Sequence, residues 1–400
     1  MDLFTAQWDE RSGWSQPLGD LDGPDTLVLV LGPPWLTRAS SPLREVLAAF
    51  PCSVVTGCST AGQILADSIT DDSVTVVALR FASTRVVAVA EPVAGPEDSF
   101  DAAARAGRRL CAELGIDPDA AAGPRTAATP RTPGALLTFT DGLHVNGSAV
   151  VAGLLAGTGG LLPVSGGMAG DEGRFERTWV LANGELMESG FCAVALTGPH
   201  LRVSHGSQGG WESFGPPRKV TRSAGTVVHE LDGEPVLDLY ERYLGDRAAG
   251  LPGTALLFPL AVQMPGSDRE LVRTVLTVDH DARTMTFAGD VPEGSSARLM
   301  TSTLDGIIGG AGAAAQQAAE TAPEGVLALA VSCIGRRLVL GRRTEDELEA
   351  VLDELPVGSE LVGFYSFGEI APTHDGVDCD LHNQTMTITT ISEAGDGEGS

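Results

Sequence analysis

Lysine is nearly absent from this 400-residue chain: of 26 basic residues only Lys219 is a lysine, against 53 acidic residues and a net charge of −27. So acidic a chain repels phosphate backbones and anionic headgroups, which excludes a nucleic-acid groove and a membrane-surface anchor. Cysteine is sparse too, with six at 52, 58, 111, 192, 333 and 379, and neither CxxC pairing nor zinc-ligand spacing among them. A disulfide framework and a structural zinc site are therefore excluded, and reduced thiols are expected. The seven histidines form no HExxH or CxxCH, so no metal site is expected, and no loop fits GxGxxG or GxxxxGK[ST]. No apolar run approaches the roughly 20 residues of a membrane span. Met1-Asp2-Leu3-Phe4 lacks the positive start of a signal peptide, so a cytoplasmic protein is expected.

What is present is a globular composition, 43% hydrophobic and 20% charged, with 50 Gly and 24 Pro to make turns. The length suits two fused domains. Thr26-Leu27-Val28-Leu29-Val30-Leu31 reads as a strand buried on both faces. A helix follows, capped by Ser41 with Pro42 in its first turn, and then a second strand, Cys52 to Val55, enters Gly57-Cys58-Ser59-Thr60-Ala61-Gly62. This βαβ pattern recurs twice. Ala135 to Phe139, a helix around Val150 to Leu155, and Pro163 to Asp171 form the second unit. Leu327 to Val331, a helix with a Thr344 to Glu347 capping box, and Leu361 to Glu369 form the third. Each unit closes on a Gly followed by a carboxylate or amide, at Gln63, Asp171 and Glu369.

The fold class expected is α/β, with mixed sheets built from repeated βαβ units and Gly-rich loops at one sheet edge. Alternating segments such as Val74 to Leu79 and Arg85 to Val89 supply antiparallel strands. Asn183-Gly184 signals a hairpin joining Trp179-Val180-Leu181 to Phe191-Cys192-Ala193-Val194-Ala195-Leu196. Residues 1–24 read as a polar lead-in and 25–222 as a first domain with a flexible loop at 115–134. Residues 223–392 read as a second domain, with a helix from Pro235 to Leu244, and 393–400 as a disordered tail.

Five motifs in order resemble the FIST domain family, its N-terminal part followed by its C-terminal part, from about Asp25 to Ile391. They are Gly57 to Gly62, Gly166-Gly167-Met168-Ala169-Gly170-Asp171, the helix opening at Leu231-Asp232-Gly233-Glu234-Pro235, Ser332-Cys333-Ile334-Gly335-Arg336, and Gly363-Phe364-Tyr365-Ser366-Phe367-Gly368-Glu369-Ile370. The resemblance implies a bacterial sensory domain for signal transduction that binds a small ligand, such as an amino acid. Haem binding and gas sensing in some relatives are a further alternative. The absence of a fused kinase, cyclase or chemoreceptor segment leaves transmission to a signalling protein partner, or a purely scaffolding role without a small ligand.

Ten residues of these loops are the candidate ligand site: Cys58, Ser59, Thr60, Gly166, Gly167, Asp171, Arg336, Tyr365, Ser366 and Glu369. Arg336 and Glu369 flank the third unit's strands, and at one sheet edge they would offer a guanidinium and a carboxylate to a zwitterion. The bland alternative is that they pair with each other or with solvent. Cys58, after a strand and near a helix start, suits a low-pKa thiol, or else a small residue in a tight turn. No nucleophile elbow is formed, so catalysis is not expected beyond a cysteine nucleophile at Cys58 or Cys333. His205 is the first axial candidate for haem, while the favoured reading of both His205 and His382 is a hydrogen-bonded structural role.

Overall fold

The computed structural model describes residues 1–121, 134–182, 184–266, 270–373 and 378–394. The three βαβ units are all present. Their first strands, Thr26–Gly32, Gly134–Thr140 and Leu327–Cys333, are apolar runs covered on both sides. Each pairs in parallel with its unit's second strand: Val54–Ser59, Val164–Met168 and Glu360–Ser366. Between them lie the helices Ser41–Ala49 and Gly147–Gly157, and in the third unit the short helix Ile334–Leu340 with Thr344–Glu354. On its other side each first strand takes an antiparallel neighbour from its own unit, Val74–Arg80, Gly190–Thr197 or Met386–Glu393.

After its second strand, each unit gives a strand to another unit's sheet. Gln63–Leu65 joins the third sheet, Val180–Ala182 the first and Gly368–Pro372 the second. The exchange is cyclic, so the three units close around a common centre. The equivalence extends to single positions. Gly57, Gly166 and Gly363 face Val30, Thr138 and Ala330, and in each case an added Cβ would lie 1.9 Å from the facing carbonyl oxygen. At Gly57 and Gly166 φ is also left-handed, +146° and +133°, so glycine is required there for backbone conformation as well as for room.

Several sequence expectations are corrected. Residues 2–9 are not a lead-in: Asp2–Asp9 is a strand paired along Val74–Arg80, with Ala6 buried. Val180–Ala182 pairs with Glu185–Met187 instead of residues 190–197, which belong to the second sheet. Asn183, half of that hairpin signal, lies outside the described residues, as do 122–133 of the expected loop and 395–400 of the expected tail. The Thr344 to Glu347 capping box does not form, because Glu347 turns inward. No helix follows Cys58, which sits inside the strand Val54–Ser59 with a further strand after it.

The expected boundary at 222/223 falls inside the long strand Glu212–Ala224. That strand centres a separate antiparallel sheet spanning residues 212–301, closed by the helix Val236–Leu244 around Val220, Leu239 and Phe287. The cores of the three-unit body draw on residues up to Leu201 and from Ala311 onward. The 212–301 body is thus inserted, and the chain crosses into it at Gly209–Trp211 and back at Ser302–Thr303. The Ser302 hydroxyl ties the two crossings together by donating to the Gly210 carbonyl.

Candidate functional site

The three Gly-rich loops meet at the ends of their parallel pairs, as the repeats imply. They bond to one another through backbone: Ala61 N to Tyr365 O and Tyr365 N to Gly62 O, both 2.8 Å, and Gly170 N to Ser59 O, 2.9 Å. This meeting seals them. Cys58, Ser59, Thr60, Asp171, Arg336, Tyr365, Ser366 and Glu369 are all buried, and their polar groups are committed internally. Ser59 Oγ accepts from Trp179 N, while Thr60 Oγ1 accepts from Gln63 Nε2 at 2.7 Å. A Cβ on Gly167 would strike Val331 and Phe364, so Gly166 and Gly167 serve close packing.

Arg336 and Glu369 do not form a pair. The Arg336 guanidinium donates to Glu347 Oε2 from Nε and Nη2, at 3.1 and 2.9 Å, and to the carbonyls of Gly209 and Ile307, both 2.7 Å. Glu347 also accepts from Tyr365 Oη at 2.7 Å and Ser332 Oγ at 3.2 Å. Glu369 instead accepts from Ser366 Oγ at 2.7 Å and from Thr385 Oγ1 and N at 2.9 and 3.2 Å. Burial outweighs these donors and pushes its carboxyl up to about 8.

Burial also sets the thiols. It raises Cys58 well above its ordinary value, Cys192 to about 11, and Cys333 upward with help from Glu369. The expectation of a low-pKa Cys58 at a helix start is therefore overturned, since both the helix and the solvent are missing.

The open space lies beside the sealed loops. A cavity of about 510 Å³ opens where the second and third units meet the inserted sheet. None of the ten candidates lines it, but their chain neighbours do: Met168, Phe367 and the run Cys333-Ile334-Gly335. The inserted body supplies Leu256, Thr274 to Leu276 and Phe287. Phe175 stands at the rim, 52% exposed, stacked on Phe367 with centroids 4.5 Å apart and planes at 16°. Asp171 places it, because its carboxylate accepts from the amides of Phe175, Glu176 and Arg177 at 2.9, 2.6 and 3.0 Å. Among the described residues that line it no side chain is charged. Across the ridge of Ile334 and Leu338 lies a charged cleft with Asp71, Glu172, Arg337, Arg342 and Glu345, where Arg337 is held by Asp71 at 2.6 and 2.9 Å.

Sequence reasoning located the sheet edge but missed these wall residues, which are ordinary apolar residues in ordinary segments. One signal was available: Phe175 is the only aromatic in the charged stretch Asp171 to Arg177. A haem does not fit this lining. Among the described residues the lining contains no histidine and no cation to face propionates, and burial pushes its cysteine thiol well up. His205 sits in the strand Leu201–Gln208 beside Thr389, away from the cavity lining. Among the described residues no His, Cys, Asp and Glu cluster could hold a metal ion, and no helix is long and apolar enough to cross a membrane.

The chain matches the FIST N domain over residues 26–234 and the FIST C domain over residues 237–372. An uncharacterized protein of Methanocaldococcus jannaschii is 34% identical over 83 residues, 21% of this chain, and the match spans only 15% of that relative's length. A cyanuric acid hydrolase from A. caulinodans aligns over 98% of each chain at 10% identity, with a TM-score of 0.33.

Proposed function

The chain belongs to the FIST family, and from that premise we propose that it is a sensor whose ligand occupies the cavity between the inserted sheet and the three-unit body. FIST domains are sensory and signal-transduction modules, so the chemistry sought is binding with a conformational output. The observation that carries the proposal is the double duty of the helix Ile334–Leu340. Ile334, Gly335 and Leu338 line the cavity, while Arg336, between them, is buried and clamps Gly209, in the first chain crossing, and Ile307, in the helix that follows the second. A ligand that displaces this helix shifts the clamp, and with it the setting of the inserted body. Arg336 thereby acts in signalling without touching the ligand.

Trp211 provides a reporter at the crossing, where its indole donates to the Gln384 carbonyl at 2.8 Å. Thermal-shift screening against a metabolite panel should give a compound that stabilises the fold by mass action and changes tryptophan emission. The emission change should vanish in Trp211→Phe while the thermal shift persists. Stabilisation without any Trp211-dependent change would refute the transduction route, and no stabilising compound at all would refute the cavity as a ligand site.

A further inference from the structure

We propose that the cavity takes a neutral aromatic or heteroaromatic ring bearing one hydrogen-bonding group, packed against the Phe175–Phe367 pair and bonded to the Thr274 hydroxyl. This rests on the reading of the cavity as the ligand site. Three observations select that chemistry. First, among the described residues the lining carries no charged side chain, so a carboxylate, phosphate or zwitterion would lose its hydration with no counter-charge to replace it. The charged cleft beyond Leu338 does not supply one, because it shares only the apolar Ile334 and Leu338 with the cavity, and neither Arg337 nor Arg342 lines the cavity.

Second, the Phe175 ring is presented at a cost in backbone conformation. Phe175 and Glu172 both have left-handed φ, 56° and 63°, which non-glycine residues avoid. The segment is held in that shape by the three hydrogen bonds that its backbone N–H groups donate to the Asp171 carboxylate, yet the ring it displays remains half exposed. A strained segment that holds an aromatic face open at a cavity rim is built for a partner with a face of its own, since stacked and edge contacts both favour a second ring.

Third, Thr274 is 4% exposed and its Oγ1 has no hydrogen-bond partner among the described residues. A buried unpaired hydroxyl is costly, and a ligand carbonyl or ring N–H would complete it.

Calorimetric titration with three probes tests the class, 2-quinolone (neutral ring with carbonyl and N–H), 1-octanol (neutral and aliphatic) and benzoate (aromatic and charged), with naphthalene, a ring without a hydrogen-bonding group, as a fourth compound for the hydroxyl. 2-Quinolone should bind, and the other two should bind at least tenfold more weakly. Phe175→Leu, at an exposed position, should weaken 2-quinolone roughly three- to tenfold, and Phe175→Tyr should restore it. Thr274→Val should weaken 2-quinolone by a similar factor but leave naphthalene, which cannot use the hydroxyl, unchanged. Octanol or benzoate binding as well as 2-quinolone, or Phe175→Leu leaving 2-quinolone unaffected, would overturn the ring assignment while leaving the cavity a ligand site. Failure of every probe, together with an unresponsive Trp211, would overturn both readings.

Discussion

Glu369→Gln separates a buried neutral acid from half of an ion pair, through the pH dependence of stability. In the folded chain the Glu369 carboxyl is held at about 8 by burial, against 4.5 for an ordinary glutamate. Below pH 4.5 both folded and unfolded states carry the proton, and its contribution is constant. Between 4.5 and 8 the folded state keeps the proton while the unfolded state releases it, so each unit rise in pH favours unfolding by about 1.4 kcal/mol. From pH 5 to pH 8 this sums to roughly 3 kcal/mol lost by the wild type through this one group. Glutamine has nearly the same shape. Its amide can donate to Ser366 Oγ while its oxygen accepts from Thr385 N and Oγ1, so the existing partners remain satisfied. The variant should therefore fold and gain on the wild type steadily as pH rises, by an amount approaching that figure at pH 8. Urea unfolding followed by far-UV circular dichroism at pH 5, 6.5 and 8 measures the difference. A variant whose deficit is the same at every pH, or grows toward pH 8 as a broken ion pair would demand, would refute the reasoning.

Glu347→Gln, by contrast, removes the true partner of Arg336 and leaves a buried guanidinium uncompensated, so the same unfolding assay should record a loss of about 3 to 5 kcal/mol at neutral pH. Gly57→Ala should prevent folding or cost more than about 3 kcal/mol, read as lost soluble expression or melting temperature, because its methyl would sit 1.9 Å from the Val30 carbonyl oxygen. Iodoacetamide at pH 8 with mass-spectrometric mapping should modify Cys52, the exposed thiol, and spare the five buried ones; labelling of Cys58 or Cys333 at a comparable rate would reopen a nucleophilic role. Asp171→Ala should free the amides of residues 175–177 from their carboxylate, seen as faster hydrogen exchange there, with the Phe175 ring losing its place over Phe367.

By itself the sequence determined the three units, because a fully apolar strand, a one-faced helix and a glycine-broken return are patterns local in the chain. Their glycines could be read as marking close approach, though not what approached them: the facing carbonyls of Val30, Thr138 and Ala330 belong to a register that only strand pairing creates. Pairing between distant segments was equally hidden. Asp2–Asp9 is polar enough to read as a lead-in, and it becomes a strand because Val74–Arg80 offers an open edge. The site depended on tertiary structure most of all. Arg336 and Glu369 do lie at the predicted sheet edge, but which carboxylate meets a guanidinium is decided by a helix turned inward at Glu347, and one capping-box pattern suits either outcome. The cavity is made by residues from two units and an inserted sheet, far apart in sequence and apolar in kind. Hydrophobic residues carry no positional signature of their own, so whether Met168, Ile334 and Phe367 fill a core or wall a pocket is settled only when the third surface is laid against them, leaving a space it does not fill.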